Sequence, residues 1–299
     1  MKTVNILMST YNGEKYLKTQ IDSILNQTDV DVRLTIRDDG SNDNTKEIIK
    51  AYSDNKSITW YEGENLRPAR SFMHLLANAE DAEYYAFADQ DDYWEPEKMK
   101  TAIEHLAEIK GPALYFSQTQ LTDENLNKIK TRNITPLLTF GESMVYAFAT
   151  GCTMVMNKPL RDFIVAHQPK SMPMLHDYWI YTLSKAIGAE IRFDTTPHLL
   201  YRQHTANVVG MNDNFWETWH GRIKRVFIDK TCERSRNIRI LTDCIGDYMD
   251  EENKRIASLF INAKHSIKDR IKLLFAPEYA TGDRTNHWLF RIAVILNSY

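Results

Sequence analysis

Short apolar, β-branched runs alternate with longer amphipathic stretches up to about residue 117, which restricts the chain to folds built from repeated strand–helix units. Residues 4–8, 32–36, 58–61, 84–88 and 113–117 read as strands, and residues 14–26, 45–52, 69–79 and 96–109 read as helices. Helical connections of this length make successive strands parallel and put helices on both faces of the sheet. In such a doubly wound α/β sheet, ligands sit at the carboxyl ends of the strands. Three of those ends are polar here: Ser9-Thr10-Tyr11-Asn12, Asp38-Asp39-Gly40-Ser41 and Asp89-Gln90-Asp91-Asp92. Three separate segments therefore converge on one crevice. Further on the pattern is mixed, with strands at 153–156, 191–193 and 198–201 and a helix at 175–187. From residue 213 onward the chain reads as wholly helical.

Composition excludes several classes of function. A chain of 299 residues with 43% hydrophobic content can bury a core without disulfides, and a net charge of −3 gives no support for nucleic acid as a partner. Cys152, Cys232 and Cys244 lack the spacing of a thiolate zinc site or disulfide scaffold, so a reducing cytoplasm is expected. No apolar run reaches the roughly 18 to 20 residues of a membrane span, and no signal core is read at the N-terminus. Charge is unevenly placed: residues 1–212 carry 22 Lys/Arg against 28 Asp/Glu, and residues 213–299 carry 15 against 12. The excess centres on residues 221–239, where Arg222, Lys224, Arg225, Lys230, Arg234, Arg236 and Arg239 meet only Asp229 and Glu233. With Trp216, Trp219 and Phe227 beside it, this stretch suits peripheral contact with an anionic membrane surface. The competing reading is that its apolar residues dock on the sheet domain. Residues 289–296, with Trp288, offer a second apolar patch for a membrane or a homodimer contact.

Glycine-rich nucleotide loops (GxGxxG, GxxxxGK[ST]), the GxSxG elbow and HExxH are all absent, which removes the usual support for dehydrogenase, P-loop and serine-hydrolase chemistry. What remains is acidic. Asp89, Asp91 and Asp92 place three carboxylates within four residues, and such a cluster repels itself unless a cation neutralises it. Mg²⁺ or Mn²⁺, with coordination positions left over for a diphosphate, fits this donor set. A solvated loop capping the next helix is the alternative. Residues 38–43 read equally as a turn and helix N-cap. Paired with the Asp89 loop at a neighbouring strand end, they form an acidic crevice able to hold a metal and the N–H edge of a base.

Five ordered groups of residues resemble the family 2 glycosyltransferases. They are Met8-Ser9-Thr10-Tyr11-Asn12-Gly13 with Tyr16-Leu17 and residues 20–28; residues 38–43; Asn65-Leu66 with Ala69-Arg70-Ser71-Phe72; Asp89-Gln90-Asp91-Asp92-Tyr93-Trp94; and the set Gly151-Cys152-Thr153-Met154, His176-Asp177-Tyr178-Trp179 and Tyr201-Arg202-Gln203-His204. The last set looks most like the bacterial rhamnosyltransferase branch. The resemblance covers residues 3–210 and implies a GT-A fold, a nucleotide-sugar donor, a divalent metal and inversion at the anomeric carbon. It implies a catalytic domain over residues 1–212, with a donor half to 117 and an acceptor half from 118, and a helical region over 213–299. Thr10, Tyr11 and Asn12 would line the nucleotide pocket, and Asp39 would accept the N3–H of uracil or thymine. Gln90 and Arg70 would meet the donor. Asp89 and Asp91 stand where the family has its DxD pair, Asp91 being the direct ligand, and Asp177 stands where it has its general base. His204 would complete the metal shell or hold the diphosphate, and Trp179 and Arg202 would contact acceptor or phosphate, the alternative for Arg202 and Arg70 being that they only pair with the acidic crevice. The implied activity is transfer of rhamnose or a hexose from a dTDP- or UDP-sugar to a glycan or lipid-linked acceptor. Where many relatives carry glycine before the Ala-Arg pair, this chain has Arg67-Pro68.

The chemistry runs the same way. A diphosphate leaving group needs charge stabilisation rather than a protein acid, and one carboxylate suffices to deprotonate an attacking hydroxyl. A glycosidase would need a second, protonated carboxyl group. Asp177 also fits an ordinary first-turn acid, and His204 an ordinary loop histidine. Two other classes remain: a non-catalytic nucleotide-sugar or carbohydrate-binding module, and a sugar nucleotidyltransferase. The second usually carries a basic glycine-rich loop that residues 9–18 lack.

Overall fold

The computed structural model describes residues 1–132, 134, 139–146, 149–170, 175–204 and 234–299. A seven-stranded sheet forms its centre. Its strands are β1 (Lys2–Thr10), β2 (Val30–Asp38), β3 (Ile58–Glu62), β4 (Tyr84–Ala88), β6 (Ala113–Ser117), β9 (Val155–Asn157) and β10 (Glu190–Asp194), in the order β10-β6-β9-β4-β1-β2-β3. All are parallel except β9, which runs antiparallel to both of its neighbours. The crossovers are α1 (Leu17–Leu25), α2 (Thr45–Lys50), α3 (Arg67–Asn78) and α4 (Lys98–Leu106). Both faces of the sheet are covered, as period-2 alternation dictates: Val4, Ile6 and Met8 of β1 join the cluster under α1 and α4, and Leu7 joins the opposite one under α3.

The expected strands at 84–88 and 113–117 match β4 and β6 to the residue. Other bounds shift by one to three residues at helix ends. The strand expected at 153–156 is displaced: residues Gly151–Thr153 close a 3₁₀ turn, with Met154 N–H donating to the Gly151 carbonyl at 2.9 Å, and β9 begins at Val155. A second sheet went unanticipated. It joins β5 (Tyr93–Trp94), β11 (Leu199–Arg202), β7 (Thr119–Thr122) and β8 (Lys128–Arg132), and brings the end of β11 against the loop after β4. Helices α5 (Phe140–Val145), α6 (Lys158–Ala166) and α7 (His176–Ala186) complete this half.

Residues 234–299 are helical, as α8 (Arg234–Ile245), α9 (Glu251–Asn262), α10 (Ile267–Phe275) and α11 (Arg284–Ile295). Ile238, Leu241, Phe260, Phe290 and Tyr299 share one buried cluster with Phe72, Met144 and Trp179, so these helices dock on the sheet body through their apolar faces. Most of the basic stretch, with Trp216, Trp219, Phe227, Arg222, Lys224 and Arg225, lies outside the described residues, as does Cys232. Among the described residues no helix is long and apolar enough to cross a membrane.

Candidate active site

The ends of β4, β1 and β2 lie side by side, and their loops are stitched together by side chains. Asn12, at φ 48°, accepts from Asn42 N–H through Oδ1 (2.9 Å) and donates its own N–H to Ser41 Oγ (2.9 Å). Gly13 N–H donates to Thr45 Oγ1 at 2.8 Å. Asp38 closes the neighbouring turn by accepting from the Gly40 and Ser41 amides at 3.2 and 3.0 Å. Gln90 clasps β4 to β1: its Oε1 accepts from Thr10 Oγ1 (2.6 Å) and Tyr11 N–H (2.9 Å), and its Nε2 donates to the Tyr11 carbonyl (3.2 Å). A methyl group on Gly13 would overlap the Gln90 amide. Thr10, Asn12 and Gln90 thus brace the loops, and Tyr11 and Asn12 are the exposed members of this group.

Asp39 is buried and charge-paired with the equally buried Arg37. Its Oδ1 accepts from Ser71 Oγ at 2.8 Å, and among the described residues its Oδ2 accepts only the Leu66 N–H, at 3.0 Å. A carboxylate oxygen has two lone pairs, so Oδ2 keeps one acceptor position for an imide N–H. Arg37 also donates to the Glu64 carbonyl at 2.9 Å, filling the space that Gly63 leaves by lacking a side chain. Arg70 stands exposed on the first turn of α3.

The acidic loop after β4 meets the second sheet. Asp91 Oδ2 lies 2.7 Å from His204 Nε2, just beyond β11, and the His204 ring packs on Tyr16 with centroids 5.0 Å apart. Arg202 is buried beneath the loop: its Nε donates to the Asp91 carbonyl at 2.8 Å, its Nη1 donates to the Glu124 carbonyl, and its guanidinium sits 4.4 Å from the centre of the Tyr16 ring. In this position it braces the loop. Burial, with the charges of Asp91 and Asp177, pushes the Asp89 carboxyl up to about 7. Asp91 and Asp177 thus each lie within electrostatic reach of Asp89. Behind them, Asp92, Cys152 and Lys98 are all buried; Asp92 and Cys152 draw the Lys98 ammonium toward its charged form, against a burial that lowers it to about 7. Asp89, Asp92 and Cys152 bring one ligand atom each within 4.8 Å of one another, and Lys98 is buried within electrostatic reach of Asp92 and Cys152. Of the expected metal ligands, Asp91 and His204 touch at 2.7 Å and the charge of Asp91 acts on Asp89, an oxygen and imidazole set of the kind Mg²⁺ or Mn²⁺ takes, but neither Asp91 nor His204 brings a ligand atom into the compact Asp89, Asp92 and Cys152 group.

Asp177 occupies the first turn of α7, where its negative charge suits the helix N-terminus, and accepts from the Tyr178 N–H at 2.7 Å. His176 beside it is buried between Phe72 and Phe87, at 4.3 and 5.0 Å between centroids, and burial lowers its basicity. A Cβ on Gly151 would come within 2.6 Å of His176 Nε2 and 3.6 Å of Asp177 Cβ, so this glycine lets the 3₁₀ turn seat against the start of α7. Trp179 departs from expectation. It is fully buried in the core, because two positions along the helix carry it about 200° round from Asp177, which stays at the rim, so its side chain packs inward. Arg37, Tyr16, Ser71 and Lys98 carry structural work that the sequence reading assigned to none of them. Ser71 and Tyr16 did stand within the quoted motifs, and Lys98 gave no signal beyond a basic residue near a helix start.

A model of the family described as glycosyl transferase family 2 matches residues 5–164. The dTDP-rhamnosyl transferase RfbG of Shigella flexneri is 29% identical over 229 residues, covering 70% of this chain and 75% of the relative. The UDP-Glc:alpha-D-GlcNAc-diphosphoundecaprenol beta-1,3-glucosyltransferase WfgD of Escherichia coli is 26% identical over 181 residues, 60% of this chain and 68% of the relative. Among solved structures, S. aureus TarS with UDP-GlcNAc superposes with a TM-score of 0.57 at 16% identity, covering 100% of this chain and 89% of that one. A mannosyltransferase of Pyrobaculum calidifontis, in complex with GDP-Man and Mn²⁺, superposes with a TM-score of 0.54 at 15% identity, covering 99% and 86%. The fold is accordingly of the GT-A type.

Proposed function

The chain belongs to glycosyl transferase family 2, and from that premise we propose that it is a metal-dependent, inverting enzyme of cell-surface polysaccharide synthesis. On this reading it moves rhamnose or a hexose from a dTDP- or UDP-sugar to a glycan or lipid-linked acceptor. The rhamnosyl and glucosyl activities of the two relatives support that range of donors, and the diphosphoundecaprenol acceptor of the second supports a lipid-linked one. Residues 1–117 bind the donor: Asp39 Oδ2 accepts the N3–H shared by uracil and thymine, Tyr11 lies beside the base, and Arg70 reaches the phosphates. Residues 118–212 provide the acceptor side.

The observation that carries the reading is the convergence of Asp89, Asp91 and Asp177, with His204 on Asp91, at the mouth of the sheet. Asp91, Asp89 and His204 would hold a Mg²⁺ or Mn²⁺, which would supply positive charge to offset that of the departing diphosphate. Asp177 takes the proton from the acceptor hydroxyl as that oxygen attacks the anomeric carbon and the bond to the diphosphate oxygen breaks. A single displacement inverts configuration, and the diphosphate leaves without a protein acid. Gln90 and Arg202 keep the β1 and Asp91 loops in register, so that donor and base meet at fixed separation.

The test is a panel of dTDP-rhamnose, UDP-glucose, UDP-galactose, UDP-N-acetylhexosamines and GDP-mannose, scored for nucleoside diphosphate release with Mn²⁺. One pyrimidine sugar is expected to turn over, and EDTA or Asp91→Asn to stop it. Binding without turnover for every donor would leave a binding module, and full turnover in EDTA would remove the metal.

A further inference from the structure

Helices α10 and α11 carry apolar rows that no other described residue covers. Seven of the twelve exposed large hydrophobic side chains among the described residues fall within residues 267–296, too many for scattered surface exposure. On α10, Ile267, Ile271 and Phe275 recur every four residues; on α11, Trp288, Ile292 and Ile295 with Leu296 do the same. Each set is therefore one stripe of its helix. Ile267 and Phe275 are 74% exposed, and Trp288 and Ile295 are 61% exposed. The opposite stripes, with Leu273 on α10 and Phe290, Ala293 and Val294 on α11, are already buried in the core. Docking on the sheet body thus accounts for one face of each helix and leaves the other.

The two helices run antiparallel: Lys264 Nζ donates to the Asn297 carbonyl at 2.8 Å and Asn297 Nδ2 donates back to the Lys264 carbonyl at 3.1 Å, tying the start of α10 to the end of α11. Lys268, Arg270, Lys272, Arg284 and Arg291 lie on these helices against Asp269 alone, a balance of +4. Apolar rows among basic side chains complement an anionic surface with an apolar interior. A symmetric contact with a second copy would instead set each cluster of positive charge against its own image. We propose that the exposed face of α10 and α11 is a docking surface for an anionic lipid bilayer. The surface is independent of residues 221–239 and of the donor chemistry. It is joined to the acceptor side: α11 packs on α5, and α5 packs on α7, whose first turn holds Asp177.

The experiment is sedimentation of the full chain with vesicles of phosphatidylcholine alone or mixed with phosphatidylglycerol. Binding is expected only to the anionic vesicles, with release as salt is raised. Phe275→Ser with Trp288→Ser should weaken it at least about tenfold, since burying one large apolar side chain is worth that much. Lys268→Glu with Lys272→Glu should weaken it as well. Equal binding to both vesicle types, or undiminished binding by the apolar double variant with unchanged circular dichroism, would overturn the proposal. A mass in solution that halves on Phe275→Ser would give the face to a second copy and overturn it equally.

Discussion

Replacing Arg37 by Met probes how Asp39, the carboxylate proposed to read the base, is held. Both members of the Arg37–Asp39 pair are about 3% exposed, so water screens neither charge. Without the guanidinium, Asp39 keeps the Leu66 amide and the Ser71 hydroxyl but loses its only counter-ion among the described residues, and the Glu64 carbonyl loses a donor. Breaking a buried pair from one side costs roughly 3–5 kcal/mol, because an uncompensated charge stays behind. Asp39→Asn strands Arg37 in the same way. In the double variant no charge is left unmatched, so the loss should fall short of the sum of the two single losses by up to about 3 kcal/mol. Urea unfolding followed by tryptophan fluorescence gives all three values. The exposed Lys2–Glu83 pair, at 2.6 Å, serves as the control: solvent screens it, so its small contribution should fade in high salt while the Arg37 effect persists. Affinity for UDP should fall with Arg37→Met as Asp39 loses its anchor. A loss below about 1 kcal/mol, or strictly additive single losses, would refute the reasoning.

Two further outcomes follow from the packing around the acidic loop. Gly151→Ala should push the start of α7 through His176, lowering turnover severalfold while donor affinity, measured by calorimetry, stays constant; equal loss of both would place the glycine in the donor pocket. Burial holds Lys98 down to about 7 against an ordinary 10.5, so between those values the unfolded chain carries a proton that the folded chain has released. Stability should therefore rise with pH across that window, by up to about 1.4 kcal/mol per unit, and Lys98→Met should abolish the rise. Urea midpoints from about pH 7 to pH 9 check this, and parallel curves for the two proteins would contradict it.

Strands with both faces buried were legible because they are continuous apolar runs: Tyr84–Ala88 and Ala113–Ser117 were bounded to the residue. The second sheet was not. Tyr93–Trp94 is two residues long, and Lys128–Arg132 is polar and solvent-facing, so neither shows a hydrophobic period. The site followed the same division. The segments that converge were evident from polar strand ends, but roles within them were redistributed, because the same polar side chain can satisfy a loop or meet a ligand. Gln90 and Arg202 act on backbone groups, and Trp179 faces the core two positions on from a rim carboxylate, on the opposite side of the helix. The Asp91–His204 contact spans 113 positions and forms only because β11 pairs with β5 beside the acidic loop, a register that no local pattern encodes.

The central claim is that Asp177 removes the acceptor proton at a site whose donor is held by other residues. Asp177→Asn, assayed on one preparation for donor affinity by calorimetry and for transfer or donor hydrolysis with Mn²⁺, addresses it directly. The account predicts donor affinity within about twofold of the parent and turnover lower by roughly 10²–10⁴-fold, the loss expected when a group acting only in the transition state is removed. Turnover close to the parent's, or donor affinity lost in parallel with turnover, would contradict it.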